Sequence, residues 1–207
     1  MHHRLLLLAL CATTALALVA LGVRAQGATD AHAPAMQVCA SCHGPHGNST
    51  NPEVPSIAGQ VEPYLQKQLA AFKAQRREGV MGGVAMGLSD AEARDAAAYF
   101  SSQPAHWNPQ RSLAAHGSAR GRSIYVDGIG DKQVPACASC HALHGEGLPP
   151  EFPRLAGQHA SYIAAQLRAF RSDSRLSNPN AMMRAVSAKL SDAEIGAVSD
   201  YIEWMHR

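Results

Sequence analysis

Two identical pentapeptides contain the residues of this chain that are best suited to chemistry. Each reads Cys-Ala-Ser-Cys-His, first at residues 39–43 and again at residues 137–141. Two cysteines three positions apart can each form a thioether with one vinyl group of a haem, and the adjacent histidine can then ligate the iron. The motifs predict two covalently bound haem c groups. Their protein ligands are Cys39, Cys42, His43, Cys137, Cys140 and His141.

The sequence around the motifs is duplicated, as expected for two similar structural units in tandem. Residues of the first copy recur 98 positions later up to Arg77, and 102 positions later from Leu88 onward. Polar residues also recur in register. They are Tyr64 and Tyr162, Gln60 and Gln158, and Arg77 and Arg175. Such side chains could hydrogen-bond haem propionates or lie at an interface between the two units, and the sequence leaves both interpretations open.

The second axial position of each iron can be filled by a methionine thioether, which raises the reduction potential of the haem. Met81 and Met183 each precede a Leu-Ser-Asp-Ala-Glu sequence by seven positions, whereas Met86 and Met182 have no methionine at the matching place. We therefore predict Met81 and Met183 as the distal ligands. Met86 is the alternative in the first copy, and both predicted ligands could instead be ordinary core residues.

Histidine is the competing type of distal ligand. His46 and His144 match in register, but each lies three positions beyond the proximal histidine. The short connection should hold them on the proximal side, so we expect loop residues. The histidines without a matched partner are expected at the surface. They are His106, His116, His159 and His206.

The first 25 residues have the layout of a secretory signal peptide. A basic start at Arg4 is followed by an apolar stretch of about 18 residues, and Ala25 ends a sequence suited to cleavage. An uncleaved anchor is the alternative, because this length lies at the lower edge of a spanning helix. Without Cys11, the four remaining cysteines all lie in the two motifs. We expect an exported protein with at most peripheral membrane contact.

The remaining sequence predicts an all-α fold. Helices are expected over residues 62–75 and 159–171, with an additional helix within residues 113–126. The last helix of each copy should begin with a Ser-x-x-Glu capping box, at Ser89 and at Ser191. The precursor has a formal charge of +2 and no basic stripe, so nucleic-acid binding is not expected.

The predicted domain organisation follows the duplication. A signal peptide is expected over residues 1–25, a first domain over 26–103, a linker over 104–112 and a second domain over 113–207. Domains of fewer than 100 residues bury limited apolar surface. A haem in each domain would complete its core.

With these residues in place, the chain resembles the dihaem cytochromes of the cytochrome c-four type, which contain two class I cytochrome c domains in tandem. The resemblance covers residues 36–206, and its markers occur in the same order in both halves. They are the Cys-Ala-Ser-Cys-His-x-x-x-Gly sites, the Ala-Gly-Gln tripeptides, the Tyr-x-x-x-Gln-Leu helices, and the methionines ahead of Leu-Ser-Asp.

The resemblance implies that each domain is wrapped around one covalent haem c and that a pseudo-twofold axis relates the domains, with the propionate edges facing across the interface. It also implies His/Met ligation of both irons and a periplasmic location. In class I cytochromes c, a proline at the spacing of Pro55 and Pro153, which lie 12 residues after the proximal histidines, offers its carbonyl to the other ring nitrogen. Such an acceptor orients the ring and makes the ligand more basic. A simple turn proline is the alternative.

The expected function is the transfer of single electrons. Filled axial positions leave no site for a small-molecule substrate, so an enzyme is not expected, and the cofactor carries the redox chemistry. The resemblance implies a carrier in a respiratory chain, with partners such as a quinol–cytochrome c reductase and a terminal oxidase. The alternative is a dedicated electron-transfer subunit of a periplasmic dehydrogenase or sulfur-oxidising complex. A dihaem peroxidase would need an open iron position. A zinc site would need cysteine pairs about 15–20 residues apart.

Overall fold

The regular secondary structure of the described residues is helical. The computed structural model describes residues 33–106 and 118–205, so the predicted signal peptide and most of the predicted linker lie outside it. The helices are α1 (Ala33–His43), α2 (Glu62–Lys73), α3 (Met81–Met86), α4 (Asp90–Ser102), α5 (Ala119–Asp127), α6 (Ala138–His141), α7 (Ala160–Arg171), α8 (Met182–Ser187) and α9 (Asp192–Trp204). The predicted all-α fold class is confirmed.

The helices α2 and α7 are matched elements of the two copies, and both end in the same way. The prediction that the first of them reaches residue 75 was wrong, because α2 ends at Lys73. Gln75 has a left-handed backbone, with φ of 55°, and Asp173 has the same conformation after α7, with φ of 61°. A left-handed residue cannot continue a right-handed helix. Both helices therefore stop in register.

The capping boxes predicted for α4 and α9 are confirmed. The Ser89 side chain accepts a hydrogen bond from the Glu92 backbone N–H, and the Glu92 carboxylate accepts one of 2.8 Å from the Ser89 backbone N–H. Ser191 and Glu194 repeat this pair at the start of α9. Each box satisfies amide groups that the first turn leaves without helical partners.

The core of the second copy forms where α5, α7 and α9 pack together. The contact between α5 and α9 requires glycine at position 121, because a Cβ atom there would lie 2.0 Å from the Ala197 carbonyl oxygen. The predicted additional helix is therefore present as α5, while residues 113–117 of that prediction lie outside the described part. Across residues 33–106 and 118–205, no helix combines the length and apolar character needed to cross a membrane.

Candidate functional site

The two Cys-Ala-Ser-Cys-His motifs lie at the C-terminal ends of short helical segments. Helix α1 ends at His43 and α6 ends at His141, and the cysteines of each motif lie within the preceding turn. The four thiols, none of which is in a disulfide, belong to Cys39, Cys42, Cys137 and Cys140. A thioether forms when an S–H group adds across a vinyl double bond. Each motif therefore presents two available thiols beside one imidazole.

The two imidazoles are buried and held in the same orientation. His43 and His141 are 6% and 7% exposed. The Nδ1 atom of His43 lies 2.8 Å from the carbonyl oxygen of Pro55, and that of His141 lies 3.0 Å from the carbonyl oxygen of Pro153. A carbonyl oxygen can only accept, so Nδ1–H is the donor and the lone pair is on Nε2. Burial lowers the pKa of both imidazoles more than the proline carbonyls raise it, which favours the neutral, ligating form.

A glycine in each motif shapes the loop that carries the proline. The backbone N–H groups of Ile57 and Leu155 each donate a 2.8 Å hydrogen bond to Gly47 and Gly145, respectively. Gly145 has φ of +70°, and a Cβ atom there would lie 2.6 Å from the sulfur of Met205. A side chain at this position would therefore be strained and would collide with its neighbour. The final glycine of each Cys-x-x-Cys-His-x-x-x-Gly sequence brings the proline carbonyl back to the histidine.

The predicted distal methionines lie at the start of matched helices. Met81 begins α3 and is half-buried, and Met183 is the second residue of α8 and packs against the core of the second copy. The competing residues are more exposed, with 59% of Met86 and 38% of Met182 accessible to solvent. Burial favours Met81 and Met183 over their neighbours. Their role as iron ligands stays a prediction.

A cavity of about 700 Å³ in the second copy joins the predicted proximal and distal groups. Its walls include Cys137, Cys140, His141, both Met182 and Met183, apolar side chains such as Leu155, and a few residues of the first copy such as Tyr64. This volume lies within the range of cofactor pockets, about 300–1,000 Å³. Two thiols, a neutral imidazole and a thioether around one apolar cavity fit a haem c. Within residues 33–106 and 118–205, no three His, Cys, Asp or Glu side chains converge to hold a bare metal ion.

The family model for cytochrome c matches residues 29–104 and 118–206, one segment in each copy of the repeat. These matches span well over half of the chain. The chain belongs to the cytochrome c family.

Relatives that match along most of their own length agree with this assignment. Cytochrome c4 of Thiocapsa roseopersicina is 42% identical over 174 residues, which cover 83% of this chain and 88% of the relative. The crystal structure of reduced recombinant cytochrome c4 from Pseudomonas stutzeri matches with a TM-score of 0.76 and 39% identity, over 85% of this chain and 97% of that chain. A thiosulfate dehydrogenase electron acceptor of Thiomonas intermedia (strain K12) is 34% identical over 172 residues, covering 82% of this chain and 79% of the relative.

This cytochrome c is a dihaem electron-transfer protein. It has two cytochrome c domains and carries two covalent haem c groups, as the paired cysteine motifs predict. The resemblance to dihaem cytochromes of the cytochrome c-four type is confirmed.

The two domains contact each other through reciprocal hydrogen bonds. Gln60 of the first domain donates to the backbone carbonyl of Arg154 at 2.9 Å and accepts from the Arg154 backbone N–H at 2.8 Å. Gln158 makes the same pair of bonds with the backbone of Ser56, at 2.8 and 3.0 Å. Residues that match in the repeat thus exchange contacts, which is the property of a twofold interface. The pseudo-twofold arrangement is present in the structure.

A buried cluster of polar side chains lies at the centre of this interface. We call it the arginine cluster, and it consists of Tyr64, Gln68, Arg77, Tyr162, Gln166 and Arg175. Arg77 donates to Tyr162 and Gln166 of the second domain, and Arg175 donates to Tyr64 and Gln68 of the first. An isolated antiparallel bridge also pairs the backbones of the two arginines. The tyrosines and arginines that recur in register in the two copies therefore form contacts between the domains.

The arginine cluster brings two positive charges into a buried place. Arg77 and Arg175 are 7% and 4% exposed, and each guanidinium lies over a phenylalanine ring of its own domain, at 4.5 and 4.3 Å. Burial raises the pKa of Tyr64, but the charges of Arg175 and Arg77 outweigh this effect and leave the pKa below its ordinary value. The positive potential at the interface therefore favours anionic groups.

One histidine prediction was wrong. His159, expected at the surface, is 2% exposed, and its Nδ1 atom lies 3.7 Å from a carboxylate oxygen of Glu203. The matching residue of the first copy is the buried Val61, and that apolar counterpart was the signal that could have indicated burial. His46 is exposed as expected, in a loop where its Nδ1 atom lies 3.1 Å from the hydroxyl of Tyr99. His116 and His206 lie outside the described residues.

Proposed function

We propose that this protein is a periplasmic carrier of single electrons with two closed His/Met haem sites. His43 and Met81 are the axial ligands of the first iron, and His141 and Met183 are those of the second. Pro55 and Pro153 hold the proximal rings through their carbonyl oxygens. With both axial positions filled, neither iron has a place for substrate, so the protein is a carrier and not an enzyme.

The observation that carries this proposal is the repeated geometry of the proximal histidines. Each ring is buried, neutral and anchored through Nδ1 to a proline carbonyl 12 residues away. An anchored ring cannot swing away from the metal, and the acceptor on Nδ1 raises the basicity of Nε2. A carrier needs ligands that stay in place in both oxidation states, because movement of ligands adds to the barrier for electron transfer. Because both domains have this histidine–proline hydrogen bond, it supports the same electron-transfer role for the two haems.

The proposal extends to the propionates of the haem in the second domain. Arg175 and Tyr64 line the same cavity as His141 and Met183. The hydrogen-bond acceptors of Arg175 are the neutral oxygens of Tyr64, Gln68, Gln166 and Ser177. A buried guanidinium gains most from a carboxylate partner. The propionates would therefore lie against the arginine cluster, where they neutralise its charge.

The proposed location and partners follow from the leader and from the chemistry. The basic and apolar start up to Ala25 supports export, with cleavage there and with at most peripheral contact of the mature protein with the membrane. A quinol–cytochrome c reductase would supply electrons, and a terminal oxidase would accept them. Such docking is brief and uses a small interface. No nucleic acid or small-molecule substrate takes part.

The test combines stoichiometry, ligation and turnover. A haemochrome assay on protein from the periplasmic fraction should give two covalent haems per chain, with an N-terminus following Ala25. An optical redox titration should show two one-electron transitions and, in the ferric state, methionine-to-iron charge-transfer absorption from both haems. Reduced protein mixed with membranes that contain a terminal oxidase should be reoxidised without forming a stable complex. A high-spin haem in the ferric protein would contradict the closed-site proposal.

A second candidate is a dedicated electron acceptor of a sulfur-oxidising enzyme. The similarity to a thiosulfate dehydrogenase electron acceptor supports it. The two candidates differ in the donor. In stopped-flow mixing, a thiosulfate dehydrogenase with thiosulfate should reduce this protein much faster than a quinol–cytochrome c reductase does, and the two proteins should co-purify. Faster reduction by the reductase, with no co-purification, would favour the free carrier.

A further inference from the structure

The two segments that lead to the distal methionines differ in length. Four positions separate Met81 from Arg77, whereas eight separate Met183 from Arg175. Both arginines are fixed in the interface by the antiparallel bridge between them. The chain can extend by at most about 3.6 Å per residue. The second segment can therefore cover about twice the distance along its haem site.

The longer segment forms a wall of the second haem cavity and is held by its own side chains. Leu176, Ser177, Asn178, Pro179 and Asn180 all line the cavity. The side-chain oxygen of Asn178 accepts a 3.0 Å hydrogen bond from the backbone N–H of Met183. This bond attaches the distal methionine directly to the cavity wall.

A second observation on Asn178 indicates that its side chain is fitted to an occupied cavity. Its Nδ2 atom is buried, with less than 1 Å² accessible, and has no hydrogen-bond partner among the described residues. Burying an amide donor without a partner is unfavourable. A sulfur or oxygen acceptor that is present only in the haem-bound protein would satisfy it.

The shorter segment in the first domain has neither device. Only Glu78, Gly79 and Val80 precede the methionine, and Val80 is 90% exposed. The N-cap residues of α3 and α8 both lack a side-chain cap hydrogen bond, so the bond from the Met183 backbone N–H to Asn178 is what distinguishes the two helix starts. The next two residues of α3 are Gly82 and Gly83, at the places where α8 has Arg184 and Ala185. Glycine is a much weaker helix former than alanine or arginine, so α3 is held less firmly than α8.

The far ends of the two helices do not share this difference. The Lys73 side chain donates a 2.7 Å hydrogen bond to the Leu88 carbonyl oxygen after α3, and Arg171 donates one of 3.0 Å to the Leu190 carbonyl oxygen after α8. The asymmetry is therefore confined to the end that carries the methionine.

We propose that the first haem site is a binding site for small neutral nitrogen bases of the imidazole type, and that the second site resists them. The inference rests on the proposed ligation by Met81 and Met183. In the haem-bound protein the step would be a ligand exchange, in which the Met81 sulfur would leave the iron and the nitrogen lone pair of the base would take its place. No electron would be transferred and no proton released. The methionine on the less stable helix is the easier one to displace, and α3 contains two glycines where α8 has arginine and alanine.

Titration of the ferric protein with imidazole tests the asymmetry. The methionine-to-iron charge-transfer absorption should disappear in two equal steps. The first step should need an imidazole concentration about threefold to tenfold lower than the second, the factor that one hydrogen bond supplies. In Met81→Ala protein, half of the absorption and the whole of the tighter step should be missing. Disappearance of both halves together, or loss of the Met183 half first, would overturn the inference.

Three variants probe the physical cause. Gly82→Ala combined with Gly83→Ala should raise the imidazole concentration of the first step, since a Cβ atom at either position meets nothing within 4 Å. Asn178→Ala should lower that of the second step about threefold to tenfold. Gly196→Ala, also an open site but in the middle of α9, is the control and should leave both steps in place. If Asn178→Ala leaves the second step unchanged, Asn178 does not hold Met183 and the inference fails.

The starting spectrum separates this inference from the proposed function. If the ferric protein without imidazole lacks charge-transfer absorption from two methionines, the ligand assignment is wrong. If that absorption is present in full but imidazole removes it in one step, the ligand assignment stands and only the asymmetry is wrong.

Discussion

The guanidinium of Arg175 donates a 2.8 Å hydrogen bond to the hydroxyl of Tyr64, which lies 111 positions earlier in the other domain. The matching pair, Arg77 and Tyr162, makes the same contact in the opposite direction. The same tyrosine and arginine positions, repeated in the two copies, therefore supply the hydrogen-bonding groups on both sides of the interface. These hydrogen bonds connect the two haem domains at the buried guanidinium groups of Arg77 and Arg175.

Replacing Tyr64 by phenylalanine should destabilise the protein by about 1–3 kcal/mol, because the buried guanidinium of Arg175 loses an acceptor. The free energy of unfolding by denaturant is the measurement. Tyr99→Phe is the matched control, since within the described part of the chain its hydroxyl hydrogen-bonds only to the exposed side chain of His46. That change should stay within about 0.5 kcal/mol. Equal losses in the two variants would show that the interface bond adds nothing.

Replacing Met183 by alanine should lower the reduction potential of one haem, because loss of the thioether removes a ligand that favours ferrous iron. Axial ligands set haem potentials over a range of about 0.8 V, so we expect a fall on the order of 0.1 V or more. The ferric charge-transfer absorption of that haem should also vanish. Redox titration followed optically measures both effects.

The neighbouring methionines provide the controls for ligation. Met182→Ala and Met86→Ala should keep both potentials and both charge-transfer contributions, because these side chains are more exposed than Met183 and Met81. Loss of the absorption in Met86→Ala, with retention in Met81→Ala, would assign the first site to Met86 instead.

Glu194 should make the second domain sensitive to acid. Hydrogen bonds from the Lys132 ammonium and from the backbone N–H of Ser191 lower the pKa of its carboxyl to about 2, from an ordinary value of 4.5. A folded-state pKa below the unfolded value stabilises the fold above pH 4.5, and this contribution is lost as the pH falls towards 2. Glu194→Gln should cost about 1–3 kcal/mol at neutral pH and should remove this part of the pH dependence.

The first domain contains a matched control for Glu194. Glu92 occupies the same place in a capping box, but its carboxylate is bonded by Ser89 at the protein surface, whereas Glu194 also forms ion pairs with Lys132 and Arg120. Glu92→Gln should therefore cost less than Glu194→Gln, because solvent screens the interactions of an exposed carboxylate. Denaturant titrations at several pH values compare the two variants. An equal cost would mean that the ion pairs contribute nothing beyond the capping box.

Gly145→Ala should destabilise the second haem site. The new methyl group would lie 2.6 Å from the Met205 sulfur and 2.9 Å from the Ala156 backbone nitrogen, at a backbone φ of +70°. Strain of this kind costs on the order of 1–3 kcal/mol. The same substitution at Gly196, where no atom lies within 4 Å, should stabilise α9 by up to about 1 kcal/mol. Thermal unfolding of both variants gives the comparison, and a stabilised Gly145→Ala protein would contradict the proposed role of the loop.

Local patterns were sufficient to predict much of this protein. The paired motifs predicted the haem cofactors, since the thioether and imidazole donors of each site are adjacent in sequence. The capping boxes at Ser89 and Ser191 predicted the starts of α4 and α9, because every group in such a box lies within four residues. The spacing from His43 to Pro55 was also informative, because one short connection after α1 leads from the histidine to the proline.

Other features depended on contacts between distant residues and could not be read from spacing. The end of α2 at Lys73 was missed because only the packed turn shows that Gln75 is left-handed. The burial of His159 was missed because a histidine is equally suited to the surface. Gln68 and Gln166 were noted only as repeated residues, and their bonds to the arginines of the opposite domain appeared with the fold.

The sequence by itself determined which groups can bind haem, because covalent attachment and axial ligation need particular atoms at short, fixed separations. Only the tertiary structure decided that the repeated tyrosines and arginines meet across a pseudo-twofold interface, because hydrogen bonds between domains depend on how two folded surfaces come together. It also decided that the Asn178 side chain binds the Met183 backbone, while no side chain among residues 33–106 and 118–205 does the same for Met81. The four extra residues of the second copy bring Asn178 to the Met183 backbone only after the chain has folded, because that contact depends on the path of the whole segment.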